Sequence, residues 1–203
     1  MLPFDVILFD VGGVLLTNGW DHCERADLMA KFRLDPAAFE ARHPGPNDQW
    51  ERDLITLEQY LDATVFYEPR SFTREDFFAA MCAESRELKD GALDIFREIA
   101  ASGKYMVGVL NNEARATNEY RFQTFGLRDP IDVALSSCYL GLRKPEPAIY
   151  RRALDILGKP PERILFIDDR AENAAGGATA GMKTIRFEGA GKLREQLDEC
   201  GIS

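Results

Sequence analysis

Histidine is scarce in this chain, with only His22 and His43 among 203 residues. A Ser-His-Asp triad or a histidine-rich metal site has almost nothing to draw on. Cysteine is little commoner. Cys23, Cys82, Cys138 and Cys200 are widely spaced and form no C-x-x-C pair. That pattern argues against a zinc site or redox pair and predicts reduced thiols, as expected for a cytoplasmic protein. No apolar run approaches the roughly 18 residues needed to span a bilayer. The opening "MLPFDVILFD" carries no basic segment and meets an acid within its apolar stretch, so it does not read as a signal peptide. Positive charge is in deficit, with 25 Lys and Arg against 34 Asp and Glu and a net charge of -9. Such a chain offers no basic field to a nucleic acid or an acidic membrane, and neither is expected as a partner.

What is present suits an α/β protein. Hydrophobic residues make up 45% of the chain and charged residues 29%, as in ordinary globular domains. "FDVILF", "YMVGVL", "RILFI" and "KTIRF" are short apolar runs rich in β-branched residues. Runs of this kind suit strands buried on both faces of a parallel sheet. Between them, "KDGALDIFREIAASGK" and "PEPAIYRRALDILGK" place apolar residues at helical spacing and stop at Gly103 and Gly158. Alternating strands and helices predict a doubly wound, mostly parallel Rossmann-like sheet. Residues 17–89 differ. "WDHCERADLMAKFRL", "TLEQYLDATVFYE" and "TREDFFAAMCAES" read as amphipathic helices, with Thr56/Gln59 and Thr73/Asp76 as capping signals. The expected organisation is an α/β core of residues 1–16 and 90–203, with an all-helical insertion at 17–89.

Chemistry gathers at the predicted strand ends. "VILFD" ends at Asp10, "VGVLNN" at Asn111 and Asn112, and "ILFIDD" at Asp168 and Asp169, while Lys144 precedes a helix in "GLRKPEP". Ligands of open α/β sheets bind outside the carboxyl ends of the strands. Any one of these residues alone is the ordinary polar end of a strand. Together, three carboxylates in one crevice repel unless a cation neutralises them. Mg²⁺ is commonly held by carboxylate oxygens and waters. A phosphate would satisfy both the metal and the Lys144 ammonium.

"FDVGGVL", "VLNN", "GLRKPEP" and "FIDDRAENAAGGATAGM" follow one another in the order of four signature motifs. The chain thus resembles a haloacid dehalogenase superfamily hydrolase with a helical cap inserted after the first core strand. The resemblance runs over residues 4–187. It implies Asp10 as nucleophile, forming an aspartyl-phosphate. It implies Mg²⁺ held by Asp10, Asp168, Asp169 and the Gly12 carbonyl. Lys144 would bind phosphate and balance the charge of Asp10. Asn111, standing where the family usually has Ser or Thr, would donate to phosphate with Asn112 and Gly13. Asn173 either positions Asp169 or caps the following helix, the second being its ordinary role.

One position departs from that pattern. Most phosphatases of the superfamily carry a second Asp two residues after the nucleophile, which protonates the leaving group and then activates water. Here Gly12 stands there. Some members with such a D-x-G opening resemble sugar-phosphate phosphatases. His22, near the entry to the insertion, is a candidate substitute acid. The expected function is a Mg²⁺-dependent phosphoric monoester hydrolase acting on a small phosphorylated metabolite, as a monomer or homodimer. Two alternatives stand beside it: a catalytically weak or silent binding protein, and a 2-haloacid dehalogenase. Trp20, Trp50, Phe66, Tyr67, Phe72, Phe77 and Phe78 are expected mostly in the core of the insertion.

Overall fold

The computed structural model describes residues 3–202. In chain order the elements are β1 (Val6–Phe9), α1 (His22–Phe32), α2 (Pro36–Arg42), α3 (Pro44–Glu51), α4 (Leu57–Thr64) and α5 (Arg74–Ala83). Then come α6 (Leu93–Ala101), β2 (Met106–Val109), α7 (Arg115–Thr124), β3 (Val133–Ala134), α8 (Ser137–Leu140) and α9 (Pro147–Leu157). A 3₁₀ turn (Pro161–Arg163), β4 (Ile164–Asp168), α10 (Ala171–Thr179), β5 (Lys183–Arg186) and α11 (Ala190–Glu199) complete them.

The strands form one parallel sheet in the order β3-β2-β1-β4-β5. β1 lies at its centre and all four of its residues are buried, which is why its sequence is an unbroken apolar run rather than an alternation. Ile7 and Phe9 face one apolar cluster, which includes Phe96 of α6 and Leu193 of α11. Val6 and Leu8 face the other, which includes Ile149 and Tyr150 of α9. Each such buried side chain contributes about 1.5–3 kcal/mol. From β1 the chain winds outward through β2 and β3, then returns to the far side of β1 for β4 and β5. The winding reverses between β1 and β4, and a crevice opens beyond the carboxyl ends of such neighbours.

Helices α1–α5 pack round a separate apolar cluster with Trp50, Tyr60, Leu61 and Phe77 at its centre. Trp20, Phe66, Phe72 and Phe78 pack against it, whereas Tyr67 is exposed. Both expected capping boxes are present, at Thr56/Gln59 and Thr73/Asp76; each cap contributes about 1 kcal/mol. All four cysteines are free. His43 is buried in this helical unit, its Nδ1 2.9 Å from the Tyr60 hydroxyl. Among the described residues no helix is long and apolar enough to cross a membrane.

Candidate active site

Strand register builds the floor of the crevice. Phe9 pairs with Ile167 across the β1–β4 ladder, and the Asp10 N–H donates to the Ile167 carbonyl at 2.8 Å. The next residues on the two strands, Asp10 and Asp168, are therefore neighbours. Lys144, from the loop before α9, reaches between them. Its Nζ lies 3.0 Å from Asp10 Oδ2 and 2.6 Å from Asp168 Oδ2, and all three groups are buried. The Lys144 backbone is held by Asn112. The Asn112 carboxamide accepts from the Lys144 N–H at 2.8 Å and donates to the Lys144 carbonyl at 2.9 Å. This reciprocal pair links the end of β2 to the lysine loop.

Asp168 is already fully engaged. Its Oδ1 accepts from the Arg170 N–H at 2.9 Å and from Asn173 Nδ2 at 3.0 Å. Its Oδ2 accepts from Lys144 and, at 3.2 Å, from Asn173. Asp169 differs, because its Oδ1 is buried without a hydrogen-bond partner. Oxygens of Asp10, Asp168 and Asp169 all lie within 4.8 Å of one another. The Gly12 carbonyl accepts no hydrogen bond among the described residues. An orphaned buried carboxylate oxygen and a free carbonyl beside Asp10 fit a hard divalent cation, which prefers oxygen donors.

Burial drives the Asp10 carboxyl up to about 7 from its ordinary 3.8; Asp168 and Asp169 add to the rise, and Lys144 opposes it. Burial and the neighbouring Asp168 raise Asp169 as well. Burial works against the Lys144 charge, but Asp10 and Asp168 more than offset it, so its pKa is raised. A raised carboxyl favours folding while it is protonated. Its contribution is present below the unfolded value and is lost as pH rises through about 7. Asp10→Asn removes that titration. In EDTA, the melting temperature of Asp10→Asn relative to wild type is therefore expected to climb between about pH 5 and pH 8. A difference that stays flat over that range would show that Asp10 is not held protonated by its surroundings.

Several expected assignments need correction. Asn111 does not reach the crevice. Its Nδ2 donates to Asn118 Oδ1 at 2.9 Å and its Oδ1 accepts from Ser136 Oγ at 2.7 Å, in a buried network joining β2, α7 and the β3–α8 connection. The two strand-end residues point different ways, so only Asn112 lines the site. Gly13 is not an available donor, because its N–H bonds the Leu16 carbonyl at 2.8 Å. Its φ of +75° and its contact with Asp169 explain the glycine instead, since a Cβ there would collide with the Asp169 carboxylate. Asn173 is the third residue of α10 rather than its cap, and it positions Asp168 rather than Asp169. His22 turns away. Its side chain is 76% exposed, and its Nδ1 is 3.9 Å from Glu40.

The cleft above this floor encloses about 380 Å³. Its upper wall comes from the helical unit and is polar. Arg143, one residue before Lys144, pairs with Glu51 at 2.6 Å and with Asp48 at 2.8 Å, both on α3. Arg52, just beyond α3, pairs with Glu146. Arg121 and Glu113 form a buried pair at 2.6 Å. Asn18, Asp21 and Arg25 line the cleft too. Sequence reasoning missed all of these. Arg143 lies inside the recognised "GLRKPEP" and Glu113 directly follows "VLNN", so both could have been found from those motifs. Asn18, on the β1–α1 connection, and Arg25 and Glu51, on the helices, carry no signal, because only the folding back of the chain brings them into the cleft with Asp10.

Comparison with known proteins agrees with this architecture. A family model described as haloacid dehalogenase-like hydrolase matches residues 4–181. Phosphatase MT3486 of Mycobacterium tuberculosis is 36% identical over 215 residues, covering 96% of this chain and 92% of that protein. Flavin mononucleotide hydrolase 1 of Arabidopsis thaliana is 27% identical over 205 residues, covering 98% of this chain and 78% of that protein. A haloacid dehalogenase family enzyme from Bacteroides thetaiotaomicron shares the fold at a TM-score of 0.81 and 22% identity, covering 96% of this chain and 98% of that one. The same enzyme has also been solved with magnesium and inorganic phosphate. With a family match over most of its length and a relative this close, the chain is a member of the haloacid dehalogenase-like hydrolase family.

Proposed function

We propose that this hydrolase is a Mg²⁺-dependent phosphoric monoester hydrolase working through an aspartyl-phosphate, with α1–α5 as a cap over the site. The observation that carries the reading is Lys144 bridging Asp10 and Asp168 beside the orphaned Asp169 oxygen. Asp10, Asp169 and the Gly12 carbonyl would hold the metal. Asp168, saturated by Lys144, Asn173 and the Arg170 N–H, sets the position of the lysine. The bound metal would supply positive charge to phosphoryl oxygens and keep Asp10 ionised.

An Asp10 oxygen attacks phosphorus, and the bond from phosphorus to the ester oxygen breaks with its electron pair moving to that oxygen. The freed alkoxide takes a proton from water and becomes the alcohol, and the hydroxide left behind is neutralised by a proton of the water used in the second step. A second water then attacks the phosphorus of the acyl phosphate and releases inorganic phosphate and Asp10. Lys144 holds the phosphoryl group throughout, and Asn112 fixes Lys144. The cleft is lined by charged and amide groups, with Trp20 its one aromatic side chain among the described residues. That lining suits a small metabolite with a polar leaving group, rich in hydroxyls.

The test is release of phosphate from a panel of small phosphate esters, alongside release of chloride from 2-chloropropionate. Phosphate release with Mg²⁺, falling at least about 100-fold in EDTA, is the expected result. Metal-independent chloride release with no phosphate release would replace the phosphatase reading with dehalogenation.

A further inference from the structure

We propose that the Asn18 carboxamide is a catalytic group that stands in for the missing side chain at position 12 and hydrogen-bonds the leaving oxygen of the substrate. The inference rests on the phosphatase reading of the site. A Cβ built on Gly12 would lie 3.1 Å from Asn18 Oδ1 and 3.4 Å from Asn18 Cα. The space that a longer residue at position 12 would enter is thus filled by Asn18, from the connection between β1 and α1. Asn18 lines the same cleft as Asp10 and Lys144. Its carboxamide makes no hydrogen bond among the described residues, so either its oxygen or its NH₂ can face a ligand.

The segment carrying it is held on both sides. The Thr17 N–H donates to the Arg86 carbonyl at 2.8 Å, and Thr17 Oγ1 donates to the Glu84 carbonyl at 2.9 Å and accepts from the Arg86 N–H at 3.0 Å. The Thr17 carbonyl accepts from Arg121. Gly19, at φ +75°, packs against Ser85 so closely that a Cβ would lie 2.9 Å from its Oγ. A free amide on an anchored backbone has the character of a preorganised donor rather than a loose surface group. Its neighbours are otherwise committed: Asp21 accepts from Arg170 and Arg25 donates to Glu40.

Asn18 transfers no proton. When the bond from phosphorus to the ester oxygen breaks, its NH₂ donates to the developing alkoxide, which then takes a proton from water. The benefit grows with the charge left on that oxygen, so it is large for alkyl esters and small for p-nitrophenyl phosphate. Gly12→Asp is a poor probe, because the new side chain displaces Asn18 itself. Asn18→Ala and Asn18→Leu remove the amide, and Asn18→Asp offers an acid at the same place.

The experiment measures kcat/KM with Mg²⁺ for p-nitrophenyl, phenyl and alkyl phosphates, with inhibition by inorganic phosphate and thermal melting as controls. Asn18→Ala and Asn18→Leu are expected to lose roughly 10- to 100-fold on alkyl phosphate, the worth of a hydrogen bond to a charged oxygen, and little on p-nitrophenyl phosphate. Asn18→Asp is expected to raise alkyl phosphate relative to p-nitrophenyl phosphate. Inhibition by phosphate should be unchanged. Equal losses on every ester, or no loss on any, would overturn the role of Asn18 while leaving an active phosphatase. A wild type that releases phosphate from no ester overturns the phosphatase reading and this one with it.

Discussion

Asp10→Asn is expected to lower kcat/KM for phosphate release by about 10⁴- to 10⁶-fold on the proposed mechanism, in which Asp10 is the covalent nucleophile and its loss disables the whole sequence of steps. Asn matches Asp in shape, so the fold is expected to survive. The amide also ligates a divalent cation less well than a carboxylate. Mass spectrometry separates the two losses: wild type briefly mixed with a good ester should carry one added phosphoryl group, and Asp10→Asn none. Activity above about one tenth of wild type in a pure, folded variant would place the nucleophile elsewhere.

Lys144→Met is expected to reduce kcat/KM by about 10³-fold and to weaken inhibition by inorganic phosphate, since in the proposed reaction the ammonium meets the phosphoryl group in both ground and transition states. The same change leaves Asp10 and Asp168 buried against each other without the cation that lies 3.0 and 2.6 Å away. Breaking a buried ion pair from one side costs about 3–5 kcal/mol. That cost should be largest at high pH, where Asp10 ionises, and Mg²⁺ should restore part of it by supplying the missing charge. Asp10, already pushed up to about 7, should move higher, so the acid limb of the activity profile shifts toward higher pH. An unchanged profile with ordinary KM would exclude Lys144 from the phosphate site.

The paired strands and the two capping boxes were legible because each is a local rule. β1 and the first four residues of β4, Ile164–Ile167, are buried on both faces, and an unbroken apolar run satisfies that burial. Thr56 and Thr73 precede Gln59 and Asp76 at the spacing that closes a first turn. β3 escaped notice because two residues carry no period. α7 did too, because its sequence "RATNEYRFQT" is mostly polar.

Among the groups that the structure brings together at the carboxyl end of the sheet, Asp10, Lys144 and the Asp168–Asp169 pair were singled out from the sequence alone. Those groups sit at or just beyond strand ends and in a loop before a helix, where one-dimensional position is informative. The division of labour between them depended on where each side chain turns. Asn111 and Asn112 are adjacent in sequence, yet one joins a buried amide network and the other fixes Lys144. Asp168 is saturated while Asp169 keeps an oxygen free. Gly13 is a glycine because Asp169 presses against it, not because an anion needs its N–H. Asn18 occupies the space above Gly12 only because the chain doubles back through Thr17 and Gly19. Strand polarity and burial are set by neighbours in the chain. Hydrogen-bond partners and excluded volume are set by residues far from it in sequence, and these the tertiary structure alone decided.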